Sequence, residues 1–217
     1  MTRAAASELT SRSGSPFVFC TVQYASGDWE SAPLLPENII DALVQHTTLN
    51  VRPTGENVRL DSQAIFDYPF CWLTGHLPVR FTLEERQNLK RYVERGGFMM
   101  VDDHSHDING AFHKTVTQEI ERVFGRQLKR VPDTHELFKA FFVYPDGAPH
   151  TQHELNGYGD DLLHEFLYAI EEQGRIGLLY SNKDYSSEWN YHPEMDKFST
   201  EDVRKFAINL VAYALTR

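Results

Sequence analysis

The chain has 217 residues, of which 41% are hydrophobic and 24% are charged, and its formal net charge at pH 7 is -10. This composition indicates a globular protein with one substantial core and predicts a single domain. The negative charge excludes non-specific binding to nucleic acids and to anionic membranes, because both partners require a positively charged face.

The apolar runs are too short for membrane insertion. Runs such as PFVFC and IGLLY fall far below the roughly 20 residues of a membrane-spanning helix. Residues 1–16 are rich in serine and lack the apolar core of a secretory signal, so we expect a flexible lead-in and, for the chain as given, a cytoplasmic location. The single domain is expected over residues 17–217. Cys20 and Cys71 lie in apolar runs, where cysteine acts as a small hydrophobic residue, so no disulfide framework is expected.

The first predicted elements are a strand, a helix and a second strand. Residues 17–24, FVFCTVQY, are β-branched and aromatic, which predicts a strand covered on both faces. Pro36 opens a helix with one apolar face, because proline is favoured at the first helical position. Residues 70–74, FCWLT, predict the next buried strand.

A clear helix start follows at Thr82. Glu85 stands three positions later and completes a capping box, and the pair Gly96 and Gly97 ends this helix. Residues 98–101, FMMV, then predict a third buried strand.

The second half of the chain continues the alternation. Apolar residues at helical spacing predict a helix over 112–124, and AFFVY at 140–144 and IGLLY at 176–180 predict strands. A further amphipathic helix is predicted over 162–170 and is ended by Gly174. Ser199 and Asp202 cap the predicted last helix.

Strands that alternate with helices predict an α/β fold with a mostly parallel sheet. Ligands of such sheets bind outside the carboxyl ends of the strands. The loops at four predicted strand ends are ASGDWES, GHLP, DDHSHD and SNKDYSSEWNYHP, and all four are rich in polar residues. We therefore expect the functional site at this edge of the sheet.

The convergence of these loops gives the candidate site residues. Asp103 and His76 are the expected catalytic residues, because a carboxylate and an imidazole can act as an acid and base pair. The expected ligand-binding residues are Asp28, Trp29, Gly75, Asp102, His104, Asp184 and Tyr185.

A divalent metal is the sharpest form of this hypothesis. His104 and His106 in the HSH motif offer two imidazoles, and Asp103 and Asp107 offer oxygen ligands, a combination that suits zinc, iron or manganese. The spacing matches no recognised metal signature, since neither HExxH nor paired CxxC occurs. The chain also lacks a GxSxG elbow and a glycine-rich phosphate loop.

These candidate residues could instead have ordinary structural roles. Asp102, Asp103 or Asn109 could cap the helix that starts near residue 110, and Trp29 and Trp189 could serve packing. Such roles do not account for the concentration of polar residues at one edge. The remaining histidines, His135, His150, His153 and His164, receive no role.

Several motifs resemble a known bacterial family. The segments FCTVQYASGDWE, YPFCWLTGH, GGFMMVDDHS and LLYSNKDYSSEWN resemble, in sequence and order, the family called domain of unknown function 4159. The resemblance implies a three-layer, flavodoxin-like fold similar to class I glutamine amidotransferases. It also places Asp103 where those enzymes carry their nucleophilic cysteine, so thioester chemistry is not expected. Many relatives are exported, which leaves export as the alternative location.

Two functions follow from the sequence. The first is a hydrolase in which a carboxylate with a histidine, or a bound metal, activates water. The second is a non-catalytic module that binds a small ligand or a protein partner in the same pocket. The substrate, ligand and partner are not defined by these residues.

Overall fold

The computed structural model describes residues 15–157, 160–191 and 201–216. Within these ranges, one sheet contains seven strands: β1 (Cys20–Gln23), β2 (Glu56–Arg59), β3 (Phe70–Gly75), β4 (Phe98–Asp103), β5 (Lys129–Arg130), β6 (Tyr168–Glu172) and β7 (Arg175–Ser181). The same ranges contain six α-helices: α1 (Leu35–His46), α2 (Leu83–Glu94), α3 (Ala111–Phe124), α4 (Gln152–Leu155), α5 (Tyr185–Trp189) and α6 (Glu201–Thr216). None of the described helices is both long and apolar enough to span a membrane.

The sheet is mostly parallel, as predicted. Its strand order is β2-β1-β3-β4-β7-β6-β5, and the first five strands run parallel to one another. Strand β6 runs antiparallel to both of its neighbours, β7 and β5. Gly75 pairs with Asp103, and Asp102 pairs with Ser181, so β3, β4 and β7 end at the same edge. This register brings three of the four predicted loops together.

Two hydrophobic clusters cover the two faces of the sheet. Successive residues of a strand point to opposite faces, and on β3 Trp72 belongs to one cluster while Leu73 belongs to the other. The first cluster contains α1, α5 and α6, and the second contains α2 and α3. Every residue of β3 and β4 is buried, which explains the apolar runs that predicted these strands.

The strongest helix predictions are confirmed. Helix α2 begins after Thr82, whose side chain accepts from the main-chain N–H of Glu85 (3.2 Å), while the main-chain N–H of Thr82 donates to Glu85 Oε2 (2.7 Å). Helix α6 begins one residue before Asp202. The predicted cap Ser199 lies outside the described residues, as do positions 1–14 of the predicted lead-in.

The predicted strand at 140–144 is wrong. The chain there leaves a short 3-10 helix, Glu136–Lys139, and its main chain pairs with a side chain of α6. The N–H of Phe142 donates to Asn209 Oδ1 (2.8 Å), and Asn209 Nδ2 donates back to the carbonyl of Phe142 (2.8 Å). The apolar side chains Phe141 and Tyr144 are buried in the first cluster.

The predicted helix at 162–170 is also wrong. Residues 168–172 form β6, in which Ala169 and Ile170 face opposite clusters. Gly174, which was expected to end a helix, forms with Gln173 the turn between β6 and β7, and both residues have positive φ. The edge strands β2 and β5 were missed because they are short and largely polar.

Thr82→Ala is expected to lower the free energy of unfolding by about 1 kcal/mol, because the N-cap hydroxyl is lost. Thr82→Ser keeps this hydroxyl, so its free energy of unfolding should be close to that of the wild type. Urea denaturation of the three proteins measures the difference. Equal losses in the alanine and serine variants would show that the cap does not stabilise α2.

Candidate functional site

Asp28 and His76 form a hydrogen-bonded pair at the ends of β1 and β3. Asp28 Oδ1 accepts from the main-chain N–H groups of His76 (2.8 Å) and Leu77 (2.9 Å), and Asp28 Oδ2 lies 2.8 Å from His76 Nδ1. Burial alone would raise the pKa of Asp28, but the hydrogen bonds from Leu77 and His76 outweigh it and lower that pKa. Asp28 is therefore ionised, and it orients an imidazole whose Nε2 faces away from it.

Gly75 allows this pair to form. A Cβ atom at Gly75 would lie 2.3 Å from the hydroxyl oxygen of Tyr24 and 2.8 Å from Asp28 Oδ1. Tyr24 is itself fixed, because its hydroxyl donates to the carbonyl of Thr74 (3.1 Å). The predicted ligand-binding residue Gly75 thus has a steric role beside Asp28.

Asp184 is the centre of the site. It follows β7 in the left-handed conformation (φ 59°, ψ 48°), and its Oδ1 accepts from the N–H of Ser187 (3.0 Å), which caps α5. Its Oδ2 lies 3.2 Å from His106 Nδ1 and 3.5 Å from His153 Nε2. Its Oδ1 lies 3.7 Å from His104 Nε2. Three imidazoles therefore surround one buried carboxylate.

The histidines compensate for the burial of this charge. Burial would raise the pKa of Asp184, but hydrogen bonds from His106 and His153 and the nearby His104 lower it below its ordinary value. The hydrogen bond to Asp184 in turn raises the pKa of His153. Asp184 is thus an ionised carboxylate with only 1% of its surface exposed.

Ring stacking connects the two groups of residues. His106 stacks on His153 with 4.5 Å between ring centroids, and His76 stacks on His104 at 4.3 Å. His104 is mostly buried, and burial lowers its pKa. His104 therefore lies between the Asp28–His76 pair on one side and Asp184 on the other.

The distances around Asp184 suit a metal ion. His106, His153 and Asp184 each offer one ligand atom, and these atoms lie within 4.8 Å of one another. Ligands of a tetrahedral zinc ion at about 2.1 Å lie about 3.4 Å apart, close to the 3.2 and 3.5 Å from Asp184 Oδ2 to the two imidazoles. Two imidazoles and a carboxylate are a known ligand set for catalytic zinc and non-haem iron. Of the predicted ligands His104 and His106, only His106 belongs to this set.

Asp103, at the end of β4, is fully buried and has one unsatisfied oxygen. Its Oδ1 accepts from the N–H of Ser105 (2.9 Å), whereas its Oδ2 has no hydrogen-bond partner among the described residues. Burial and the charge of Asp184 raise its pKa to about 7, against the opposing hydrogen bond from Ser105. An acid with this pKa can give or accept a proton near neutral pH.

Asp102 has a structural role. Its Oδ2 accepts from the N–H of Ser186 (2.6 Å) at the start of α5, and burial together with Asp184 raises its pKa well above the ordinary value. The expectation that Asp102, Asp103 or Asn109 caps the helix near 110 is not met. Helix α3 begins after Gly110 and has no side-chain cap.

The aromatic candidates serve packing. Trp189 is buried, and its indole N–H donates to the carbonyl of Val203 (2.9 Å). Tyr185 is also buried, and its hydroxyl donates to the carbonyl of Pro149 (2.9 Å), so it is not brought to the site surface. Trp29 is half-buried against the second hydrophobic cluster.

His153, to which the sequence assigned no role, is brought to the site by α4. Thr151 and Glu154 form a capping box that starts this helix. Glu154 also pairs with the ammonium group of Lys183, which is completely buried and donates to the carbonyl of Glu165 (3.2 Å). The Thr-x-x-Glu pattern in TQHE is a sequence signal for this helix start, but the contact with Lys183 is not visible in the sequence.

The fold and the site define a class of protein: a mostly parallel α/β protein with histidines and carboxylates gathered at the carboxyl edge of its sheet. The model of the family described as Domain of unknown function (DUF4159) matches residues 18–215. The chain therefore belongs to this family, which confirms the resemblance seen in the sequence. A search of curated proteins gives no match.

Asp103→Asn is expected to stabilise the protein at pH 8 when a chelator is present. An acid whose pKa is raised by folding keeps its proton more tightly in the folded state, so stability falls as the pH rises from about 4 towards 7. The asparagine variant escapes this loss, and its free energy of unfolding at pH 8 should exceed that of the wild type by about 4 kcal/mol.

Urea denaturation at pH 8 and pH 4 tests this expectation. At pH 4 the wild type and Asp103→Asn should have nearly equal free energies of unfolding. The exposed carboxylate of Asp146 provides the control, since Asp146→Asn should change little at either pH. A wild type more stable than Asp103→Asn at pH 8 would contradict the raised pKa.

Proposed function

We propose that the sheet is the three-layer, flavodoxin-like sheet of class I glutamine amidotransferases. The order of the five parallel strands, β2-β1-β3-β4-β7, supports this proposal, because a flavodoxin-like sheet has the order 2-1-3-4-5. The two hydrophobic clusters, each with its own helices, support it as well. In this arrangement Asp103 takes the place of the nucleophilic cysteine.

We propose that this protein is a hydrolase that uses a divalent metal held by His106, His153 and Asp184. The observation that carries the proposal is the grouping of their ligand atoms within 4.8 Å, with a buried carboxylate at the centre. Three protein ligands leave a coordination position for water or substrate, which is the arrangement of catalytic zinc sites. A metal in this position would lower the pKa of water and polarise the substrate.

The protein's own acids and bases would then move the proton. Asp103 has an unsatisfied buried oxygen near Asp184 and His106, and Asp28 holds His76 with one ring nitrogen facing away. An imidazole oriented by a carboxylate is a common general base. Either His76 or Asp103 would take the proton from water, and the same group would return it to the leaving group.

The position of the Asp28–His76 pair favours substrate binding beside it. In sheets of order 2-1-3-4-5, ligands bind where the connections from neighbouring strands diverge, which is between the first and third strands. Asp28 follows β1 and His76 follows β3, so the pair stands at this crevice. His104 stacks on His76 and lies 3.7 Å from Asp184, which supports a substrate position close to Asp184.

A non-catalytic binding module is the second candidate function. The observation that favours it is the double capping of α5, in which Asp102 Oδ2 and Asp184 Oδ1 accept from Ser186 and Ser187. These bonds give two of the three buried aspartates among the described residues a structural role. The module would bind its small ligand or protein partner at the same edge without turnover.

Substitution of one ligand tests the metal. His153→Ala should weaken zinc binding at least about 100-fold, because one of three ligands is lost and removal of outer-shell partners alone costs about 10- to 100-fold. His150 belongs to the same segment, but its side chain is 62% exposed and is not one of the proposed ligands. The His150→Ala variant should therefore bind zinc with the affinity of the wild type. Isothermal titration of chelator-treated protein measures both affinities.

Hydrolysis of p-nitrophenyl acetate separates the two functions. For the hydrolase, zinc should restore turnover to the chelator-treated wild type and to His150→Ala, but not to His153→Ala. Zinc binding without turnover favours the module. Equal zinc affinities of the two variants would contradict the assigned ligands.

A further inference from the structure

A cavity of about 300 Å³ lies between α3 and the β6–β7 hairpin. Its lining includes the side chains of His113 on α3, His164 before β6, Tyr168 on β6 and Tyr180 on β7. None of these residues belongs to the group around Asp184. The volume lies at the lower end of the range for small-molecule sites.

Four aromatic rings form a continuous wall of this cavity. Tyr168 and Tyr180 are register partners in antiparallel strands, so their side chains stand side by side on one face of the sheet. His164 lies 5.0 Å from Tyr168 and 5.7 Å from His113, measured between ring centroids. His113 Nδ1 lies 2.7 Å from the hydroxyl oxygen of Tyr180, and this hydrogen bond fixes both rings.

The charges around the cavity select against anions. Glu121, an exposed residue of α3, is the charged residue that lines it, and no lysine or arginine does so among the described residues. Burial lowers the pKa of His113 and of His164, which favours their uncharged forms. The cavity is therefore lined by four aromatic rings and one carboxylate.

We propose that this cavity binds a small methylated ammonium ligand. The negative faces of aromatic rings attract a cation within about 6 Å, and cages of such rings bind quaternary ammonium groups. A quaternary ammonium contacts the rings through its methyl groups and needs no hydrogen-bond acceptor, although Thr117, Gln118 and Gln127 also line the cavity. Glu121 supplies the opposite charge at the rim. The proposal does not rest on the metal site and is tested on metal-free protein.

Choline and its neutral isostere 3,3-dimethyl-1-butanol are the two probes. They have nearly the same shape, so a difference in affinity measures the contribution of the positive charge. Both probes are titrated into the chelator-treated full chain at pH 7.5, and binding is followed by NMR. We expect the affinity for choline to be about 10-fold or more higher than the affinity for the neutral isostere. This ratio corresponds to a contribution of about 1.4 kcal/mol from the positive charge at aromatic rings.

Two variants locate the binding site. Tyr168→Leu removes one ring from the wall and should weaken choline about 10-fold, whereas Glu121→Gln should weaken it by a smaller factor of about 3, because an exposed charge is screened. Glu94→Gln, at the exposed end of α2, should leave choline binding unchanged. Thermal unfolding of each variant shows whether the fold is retained.

The proposal is overturned by any of three results. They are no measurable choline binding, equal binding of choline and 3,3-dimethyl-1-butanol, or unchanged choline binding in a folded Tyr168→Leu variant. If Tyr168→Leu does not fold, the choline affinities of Glu121→Gln and Glu94→Gln are compared instead. Equal affinities of these two variants overturn the proposal.

Discussion

The site depends on one constraint, which is the cost of burying the charge of Asp184. A buried carboxylate stays ionised only when it is paired and hydrogen-bonded. Asp184 meets this condition with imidazoles from two loops, His104 and His106 after β4 and His153 on α4, and with the N–H of Ser187 on α5. These loops must therefore converge for the charge to be tolerated. The same convergence creates a group of ligand atoms with metal-like spacing.

The sheet supplies the precision that this convergence requires. Gly75, Asp103 and Ser181 lie at the ends of three adjacent parallel strands, and the pairing of β3, β4 and β7 fixes their relative positions. Site residues that lie outside the sheet are positioned by buried polar contacts. Lys183 is the main example, because its ion pair with Glu154 ties α4 to the end of β7 and thereby keeps His153 beside Asp184. The end of β4 also buries Asp103, whose Oδ2 has no hydrogen-bond partner in the part of the chain that the structure describes.

Local signals explain what the sequence predicts well. The capping box at Thr82 acts within four residues, and the buried runs of β3, β4 and β7 need no knowledge of distant contacts. The parallel sheet brings Asp28, His76, Asp103 and Asp184 to one edge, because each of them lies at or after the carboxyl end of a strand. Contacts between residues that are distant in the sequence explain the wrong predictions. AFFVY has the composition of a strand, but the main chain of Phe142 pairs with the side chain of Asn209. Residues 162–170 have helical spacing, but β6 places successive side chains in two different clusters. His153 was missed because its position depends on Lys183, 30 residues away in the sequence.

A crystal structure of the zinc-loaded protein, with anomalous data collected at the zinc edge, is the most direct test of the proposed metal site. We expect one strong peak bonded to His106, His153 and Asp184, with metal-ligand distances of about 2.0 to 2.2 Å, and a further contact from water or from Asp103. We also expect Asp28 and His76 to remain paired beside this ion. A zinc-loaded crystal with no peak at Asp184, or with zinc bound only to exposed histidines such as His150, would contradict the proposed ligands.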